Sequence, residues 1–310
     1  MNRPSLISVS LRKIHTFSIV CDTMHMARAA ERLGISQPSL SEQIQGLEQA
    51  LGFRLFHRRR RAIDLTEAGQ QLLIEARALL QAHHDMLERV GRIARGEMGR
   101  LAIGHVGSAM FVRPLAGQLK AMRKRFPGVD MRLREAGGRR LLEALAAGDL
   151  DLVLLRAPLK LPAYLRHRVH SSQKLVVVMP RGHVLAGSRG IHLSQLAAHV
   201  LVDYAEDDQT IGITPMVREL AQQSGVELQV SWRVTTVGSV LGLVASGEGI
   251  GIVPDHAALR ASRSVVARVL KPPVNSELWL VWHQDRETPT VRQFLAIVGE
   301  DDGRAVVVRP

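Results

Sequence analysis

The sequence predicts an N-terminal helix-turn-helix with a β wing, then one long helix, then a C-terminal α/β region. The first part is indicated by a helix, a glycine turn and a second helix between residues 29 and 44. The long helix is indicated by apolar residues that repeat every three or four positions from Leu72 to Ile93. From Arg100 onward, short apolar strands alternate with amphipathic helices, which is typical of α/β architecture.

The helix-turn-helix prediction depends on residues suited to a tight turn between packed helices. An Ala-Ala pair at positions 29 and 30 lets a neighbouring helix approach closely, and Gly34 permits the turn. Ser36 is a good N-cap, with Pro38 in the first turn of the second helix. Apolar residues at positions 40, 44 and 47 share one face of that helix, so we expect this face to pack inward.

The other face of the second helix carries hydroxyl and amide side chains between Gln37 and Gln43. Amides can pair bidentately with adenine and serine can contact either base type, so such a face suits reading base edges in a DNA groove. Taken alone, the window also fits an ordinary helical hairpin with a solvated polar face. The predicted DNA-binding residues of this helix and its flanks are Arg28, Arg32, Ser36, Gln37, Pro38, Ser39, Ser41, Gln43, Arg54, Arg58 and Arg59.

The sequence that follows predicts a wing, because residues 46–58 and 63–69 give two short strands and a new helix start. The pattern from Leu11 to Leu80 resembles the LysR-type transcriptional regulators. The resemblance includes the Ala-Ala pair, the Ser-Gln-Pro-Ser-Leu-Ser run, the Leu-Gly-x-x-Leu-Phe wing entry and the Leu-Thr-Glu-Ala-Gly that opens the long helix.

This resemblance implies a sequence-specific DNA-binding regulator of transcription that a small-molecule effector modulates. The implied partners are double-stranded promoter DNA, the effector, RNA polymerase, and further copies of the chain in a homodimer or homotetramer. Two positions depart from the family pattern. Glu42 stands where a basic or small polar residue is usual, and Arg60 stands where glycine is frequent. A carboxylate at position 42 would repel a phosphate if it faced the DNA backbone.

Length and charge agree with a protein that binds a polyanion. The chain has 310 residues, 46% of them hydrophobic, and a formal net charge of +12, so it can form more than one packed domain. Arginines are concentrated in the predicted wing, where they can neutralise phosphates or enter the minor groove. A solvated, mobile loop is the alternative interpretation of such a run. These arginines are Arg54, Arg58, Arg59, Arg60 and Arg61.

Other features disfavour secreted and membrane proteins. Residues 1–10 lack the apolar core and the cleavage site of a secretory signal, and no stretch reaches the roughly 20 apolar residues of a membrane span. We therefore expect a cytoplasmic protein without a membrane partner. Cys21 is the single cysteine, which excludes an intramolecular disulfide and fits a reducing compartment; we expect it to be a buried structural thiol.

Residues 67–96 are predicted to form a linker and dimerisation helix that follows a DNA-binding domain at residues 9–66. Its apolar positions alternate steps of four and three, as in a coiled-coil seam. Two recognition helices related by symmetry can read two half-sites, so a seam that joins two chains matters for function. His83 falls on this seam, where we expect it to set the register rather than bind a metal. The predicted seam residues are Leu72, Ala76, Leu79, His83, Met86, Val90 and Ile93.

Residues 100–310 are predicted to form an effector-binding domain. The runs Leu145–Val153 and Thr235–Pro254 resemble the effector domain of the same family, which implies two α/β lobes like those of type 2 periplasmic binding proteins. Lobe I is predicted at about 100–161 and 267–310, and lobe II at about 162–266.

The effector is predicted to bind between the lobes, beyond the carboxyl ends of strands and against helix N-termini, where free amides favour anions. For each residue of this site, simple helix capping is the alternative role. Relatives that bind small carboxylates commonly have a hydroxyl residue where this chain has Gly138, so either backbone amides suffice there or the effector differs. The predicted effector-binding residues are Gly107, Ser108, Gly137, Gly138, Ile211, Ile213, Thr214, Thr235 and Thr236.

An enzyme and a solute receptor are the rival interpretations. The sequence has no Gly-x-Ser-x-Gly elbow and no Cys/His pairing, while His167 and His170 lack companion ligands at metal spacing. No enzymatic activity, cofactor or metal site is therefore predicted. A bilobed solute-binding receptor without DNA function would share the cleft, but it would need a signal peptide and would not use residues 9–66.

Overall fold

The computed structural model describes residues 9–58, 63–157, 159–205 and 211–302. The chain folds into two compact units, the first ending at Gly91 and the second beginning at Arg92. In its described residues the first unit consists of α1 (Leu11–Thr23), α2 (Met26–Leu33), α3 (Gln37–Leu51), the wing strands β1 (Phe56–Arg58) and β2 (Ile63–Leu65), and most of α4 (Glu67–Ala94).

Local chemistry explains where the helices of the first unit begin and end. Gly34 adopts a left-handed φ of 67° and ends α2, as the turn prediction requires. The Ser36 hydroxyl caps α3 by accepting a hydrogen bond from the Ser39 amide at 3.3 Å. Pro38 lies in the first turn of α3, where its missing N–H costs nothing. The helix-turn-helix and the antiparallel wing are thus confirmed as local structures.

The core of the first unit is formed by the faces that the periodicity predicts. Leu40 and Leu47 are fully buried, and the alanines at positions 29 and 30 are buried where α2 packs on its neighbours. Cys21 is also buried, and burial, together with the nearby Asp22 carboxylate, raises the pKa of its thiol to about 12. Further buried members of this core are Ile14, Phe17, Val20, Ile44, Leu55 and Ala76.

The second unit continues with alternating strands and helices. Its elements are β3 (Met98–His105), α5 (Arg113–Arg125), β4 (Gly128–Glu135), α6 (Gly138–Ala147), β5 (Leu152–Arg156), β6 (Leu165–Pro180), β7 (Ile191–His192), α7 (Leu193–Leu196), β8 (Val200–Tyr204), α8 (Ile213–Gln223), β9 (Gln229–Val234), α9 (Val237–Ala245), β10 (Ile250–Pro254), α10 (Asp255–Ala258), β11 (Val265–Lys271), β12 (Asn275–His283) and α11 (Pro289–Asp302).

These strands form two lobes with separate cores that share the long strand β6. The hydrogen-bonded order is β4-β3-β5-β12-β6-β10-β8-β9, with β11 on β6 and β7 on β11. The first half of β6, up to Lys174, pairs with β12 in lobe I. Its second half, from Leu175, pairs with β10 and β11 in lobe II. Within each lobe the strands before the helices are parallel, so their carboxyl ends lie along one edge.

The lobe limits differ from those that the sequence suggested. Lobe II was expected from about residue 162, but residues 165–174 belong to the lobe I sheet through β12. Lobe I was expected to resume near residue 267, but β11 still pairs with β6 in lobe II. The reason is that the first half of β6 is polar and partly exposed, so its sequence lacks the apolar run that indicates a buried strand.

Candidate functional site

The exposed side of α3 is its most distinctive surface. We call Pro38, Glu42, Gln45 and Gln49 the outward face, because all four are exposed. Successive helical residues are turned by about 100°, so Glu42 lies about 160° from the buried Leu40 around the helix axis. The outward face therefore points directly away from the core of its domain.

The hydroxyl and amide residues predicted to read DNA are placed unequally. Ser36 and Gln37 are exposed at the start of α3, whereas Ser39, Ser41 and Gln43 are half-buried. The side-chain oxygen of Gln43 accepts a hydrogen bond from the buried Thr16 hydroxyl at 3.2 Å. Gln43 is thus engaged with α1 through one of its two polar atoms, a contact that the sequence did not indicate.

The predicted cationic contacts surround α3 rather than lie on it. Arg28 and Arg32 are exposed on α2, and Arg54 is exposed before the wing. Arg58 ends β1, and Arg59 lies outside the described residues. The sequence of α3 itself contains no lysine or arginine. Charge that could neutralise phosphates therefore comes from the neighbouring elements of the same domain.

The wing is held against α3 by hydrogen bonds that sequence reasoning missed. The Glu48 carboxylate accepts hydrogen bonds from the backbone amides of Leu55 at 2.7 Å and Phe56 at 3.2 Å. The Thr66 hydroxyl donates to the Arg54 carbonyl at 2.8 Å, and it accepts from the Gly69 amide at 3.0 Å. Glu48 thus ties the start of the wing to α3, and Thr66 ties the end of the wing to its start.

An apolar stripe runs along α4 on the C-terminal side of the residues that pack in the core of the first unit. Ala76, one of the predicted seam residues, is buried in this core. Four later seam residues are instead exposed in the single chain: Leu79, Met86, Val90 and Ile93. Each of these is about half exposed, for example 58% at Val90, which is unusual for large apolar side chains that follow one helical stripe.

The predicted effector residues converge only in part. Gly107, Gly137, Thr235 and Thr236 line a cavity of about 280 Å³ between the two lobes. Lobe I adds Arg134, Glu135, Ala136 and Arg140 to its wall, and lobe II adds Tyr204.

Side chains from both lobes approach the backbone closely at Gly107. A Cβ there would lie 2.8 Å from Oε1 of Glu135 and 3.7 Å from the Tyr204 hydroxyl. The glycine therefore lets a carboxylate from lobe I and a phenol from lobe II approach the same backbone segment. Thr236 also caps α9, because its hydroxyl accepts a hydrogen bond from the Ser239 amide at 3.1 Å. The alternative role of helix capping is therefore present at this residue.

The other five predicted effector residues do not line this cavity. Ser108, Gly138, Ile213 and Thr214 are buried, and Ile211 is half-buried. The Thr214 hydroxyl donates to the Asp203 carboxylate at 2.8 Å. Thr214 instead lines a larger hollow of about 760 Å³ within lobe II, between α8 and the strands β8 and β9.

Ser108 takes part in a polar network where the lobes meet. Its hydroxyl accepts a hydrogen bond from Nε of Arg156, a fully buried guanidinium, at 3.1 Å. Nε2 of His256, from lobe II, donates to the Ser108 carbonyl at 3.1 Å. Burial and then the nearby Arg156 charge lower the pKa of His256, and the hydrogen bond to Ser108 opposes this. Ser108 is therefore a structural link between the lobes.

Some of the cavity residues that were not predicted from the sequence could have been found from a general rule for α/β sheets. Arg134 and Glu135 end strand β4, where ligands of α/β sheets bind beyond the carboxyl ends of strands. Tyr204 ends β8, a strand that was not predicted from the sequence.

Among the described residues, no cluster of three or more metal-ligating side chains occurs, and no described helix is both long and apolar enough to span a membrane.

Comparisons with known proteins agree with the two units. The family model of the LysR substrate binding domain matches residues 94–302, and that of the bacterial regulatory helix-turn-helix protein, lysR family, matches residues 11–70. The uncharacterized HTH-type transcriptional regulator YnfL of Escherichia coli is 33% identical over 290 residues, which cover 93% of this chain and 97% of that protein. The HTH-type transcriptional regulator AlsR of Bacillus subtilis is 31% identical over 292 residues, covering 93% and 95%.

A solved structure shares the fold over most of the chain. The crystal structure of full-length CbnR complexed with its target DNA has a TM-score of 0.77 at 24% identity, covering 94% of this chain and 99% of that one.

Proposed function

The chain belongs to the LysR family of DNA-binding transcriptional regulators, and from this premise we propose that α3 reads the base edges of an operator in the major groove. The observation that carries the proposal is the amphipathic character of α3. Leu40 and Leu47 are buried, and a polar surface is exposed opposite them. The residues proposed to contact bases are Ser36, Gln37, Pro38, Ser39, Ser41 and Gln43. The residues proposed to contact phosphates or the minor groove are Arg28, Arg32, Arg54, Arg58 and Arg59.

We infer that two chains pair through α4 to form the dimer that binds DNA, alone or as half of a tetramer. The exposed stripe of Leu79, Met86, Val90 and Ile93 supports this, because a second helix would remove it from water. A dimer presents two copies of α3 to two half-sites, one or more helical turns apart. The proposed division of the chain is a DNA-binding domain at 9–66, a linker at 67–96 and an effector domain at 100–310.

We propose that a small molecule, favoured to be an anion, binds in the cleft at Gly107, Gly137, Thr235 and Thr236. The cavity wall carries two arginines, Arg134 and Arg140, against one carboxylate, Glu135, and this balance supports an anionic ligand. The helix N-termini that follow the glycine and threonine pairs support it as well. A cavity of about 280 Å³ suits a compact metabolite. The remaining predicted residues Ser108, Gly138, Ile211, Ile213 and Thr214 would act by shaping the cleft.

The effector can regulate only if it binds two conformations with different affinity. We propose that closing the lobes around the effector alters the oligomer, and through it the bending of DNA or the contact with RNA polymerase. The chain would act without catalysis and in the cytoplasm, where promoter DNA is available in bacteria. The family's regulators support this inference, since their names describe regulation and no reaction.

Footprinting of the purified full-length chain on the divergent region upstream of its own gene tests the proposal. We expect two protected half-sites, with protection that extends or shifts when small acids are added. Absence of any protected sequence at moderate salt, with or without acids, would contradict it. As a control for fold, the same preparation must unfold cooperatively in urea.

A further inference from the structure

Glu42 occupies the centre of the outward face of α3. Its side chain is exposed, and of the four outward-face residues it alone is charged. Within the described part of the chain, no hydrogen bond or ion pair engages its carboxylate. The helix offers no cation to pair with it, because the neighbours one turn away are Pro38, Ser39, Gln45 and Gly46. The carboxylate is therefore available to a partner that meets this face.

A carboxylate in that position is unfavourable on DNA unless it finds a hydrogen-bond donor. Double-stranded DNA carries about one negative charge per 1.7 Å of helix axis, so a nearby carboxylate is repelled by the phosphates. In the major groove, however, the exocyclic amino group of cytosine is a donor that glutamate and aspartate accept from. Adenine places its N7 acceptor beside its amino group, which disfavours the second carboxylate oxygen.

We propose that Glu42 determines specificity by accepting a hydrogen bond from N4 of one cytosine in each half-site. The inference rests on the proposed role of α3 in reading bases. It also accounts for an acid on a helix that lacks cations: Arg28, Arg32 and Arg54 on neighbouring elements supply positive charge to the phosphates, and Glu42 supplies base discrimination at the helix centre. Pro38, one turn earlier on the same face, has no polar side-chain atom and cannot substitute for it.

In vitro selection from a random duplex DNA library tests this assignment with the full-length chain. The variants are Glu42→Ala, which removes the acceptor, and Glu42→Gln, which removes the charge and adds a donor. Glu31→Gln is the matched control, because Glu31 is an exposed acid of the same domain that lies on α2. Glu42 and Glu31 both lie on the surface, so each of the three variants is expected to unfold at the wild-type urea concentration.

The wild-type chain is expected to select cytosine at one position of each half-site, preferred over the other bases by about 5- to 150-fold. Glu42→Ala should lose preference at that position alone. Glu42→Gln should select adenine there, because an amide pairs with the N6 and N7 of adenine. Glu31→Gln should select the wild-type sequence.

Two results would overturn the proposal, and they differ in what else they affect. If wild type and Glu42→Ala enrich the same sequence at every position and differ only in affinity and salt dependence, Glu42 acts by general repulsion, and α3 can still read DNA. If the wild-type chain enriches no sequence, the DNA-reading role of α3 fails as well.

Discussion

Glu48 connects α3 to the wing, and its removal should loosen the wing measurably. Its carboxylate accepts hydrogen bonds from the amides of Leu55 and Phe56. Leu55 is fully buried, so its amide has no access to water in compensation, while Phe56 is half-buried. A hydrogen bond to a charged group contributes about 1.5 to 3 kcal/mol, so we expect Glu48→Ala to lower the free energy of wing opening by about 2 to 4 kcal/mol.

Hydrogen–deuterium exchange of the Leu55 and Phe56 amides in the full-length chain measures this effect directly. A loss of about 2 to 4 kcal/mol corresponds to exchange that is roughly 30- to 900-fold faster. Glu48→Gln keeps an acceptor but loses the charge, so a smaller loss of about 1 to 2 kcal/mol is expected. Gln45→Ala, on the outward face of the same helix, should leave both amides unchanged.

If Glu48→Ala left exchange at both amides within about twofold of wild type, Glu48 would not stabilise the wing by the expected amount, because 1.36 kcal/mol corresponds to a tenfold rate change. In that case the wing would be held by the Thr66 contacts and the antiparallel strand pair alone.

Three further predictions concern other parts of the chain. Because the pKa of Cys21 is raised to about 12, we expect the native thiol to resist a disulfide reagent at pH 8, whereas the thiol of urea-unfolded chain reacts at once; rapid native labelling would contradict its burial. Burial lowers the pKa of His256 below its unfolded value of about 6.5, so the unfolded state takes up a proton first as the pH falls and the stability of the second unit should decline below pH 6.5. All three tryptophans lie in that unit, so their fluorescence in urea reports the decline, which should be shallower in His256→Gln; equal slopes would argue against His256. Arg54→Ala should weaken binding to all DNA alike and reduce the salt slope by about 1, whereas a loss confined to one sequence would assign Arg54 to base reading.

The parts of the fold that the sequence predicted are those determined by local chemistry. The turn at Gly34, the Ser36 cap and the buried Leu40 face each depend on residues within a few positions of one another, so their pattern is visible in the chain. The same holds for the strands of the second unit that are buried on both faces, such as β5 and β10.

Features that depend on distant partners were not predictable in the same way. The first half of β6 is a strand because β12 pairs with it from over one hundred residues away. Ser108 lies just after β3 and Thr214 lies in the first turn of α8, but the Ser108 hydroxyl is hydrogen-bonded to Arg156 and the Thr214 hydroxyl to Asp203, both in the interior. The engagement of Gln43 by Thr16 likewise depends on how α1 packs on α3.

The DNA binding of the Gln37→Ala variant tests whether the exposed start of α3 reads base sequence. Fluorescence anisotropy at one fixed salt concentration would compare wild type and variant on a selected operator and on random DNA of equal length. We expect the variant to lose about 1 to 3 kcal/mol of binding free energy on the operator and almost none on random DNA. Equal losses on both DNAs would show that Gln37 contacts only the DNA backbone and that the start of α3 does not read bases through it.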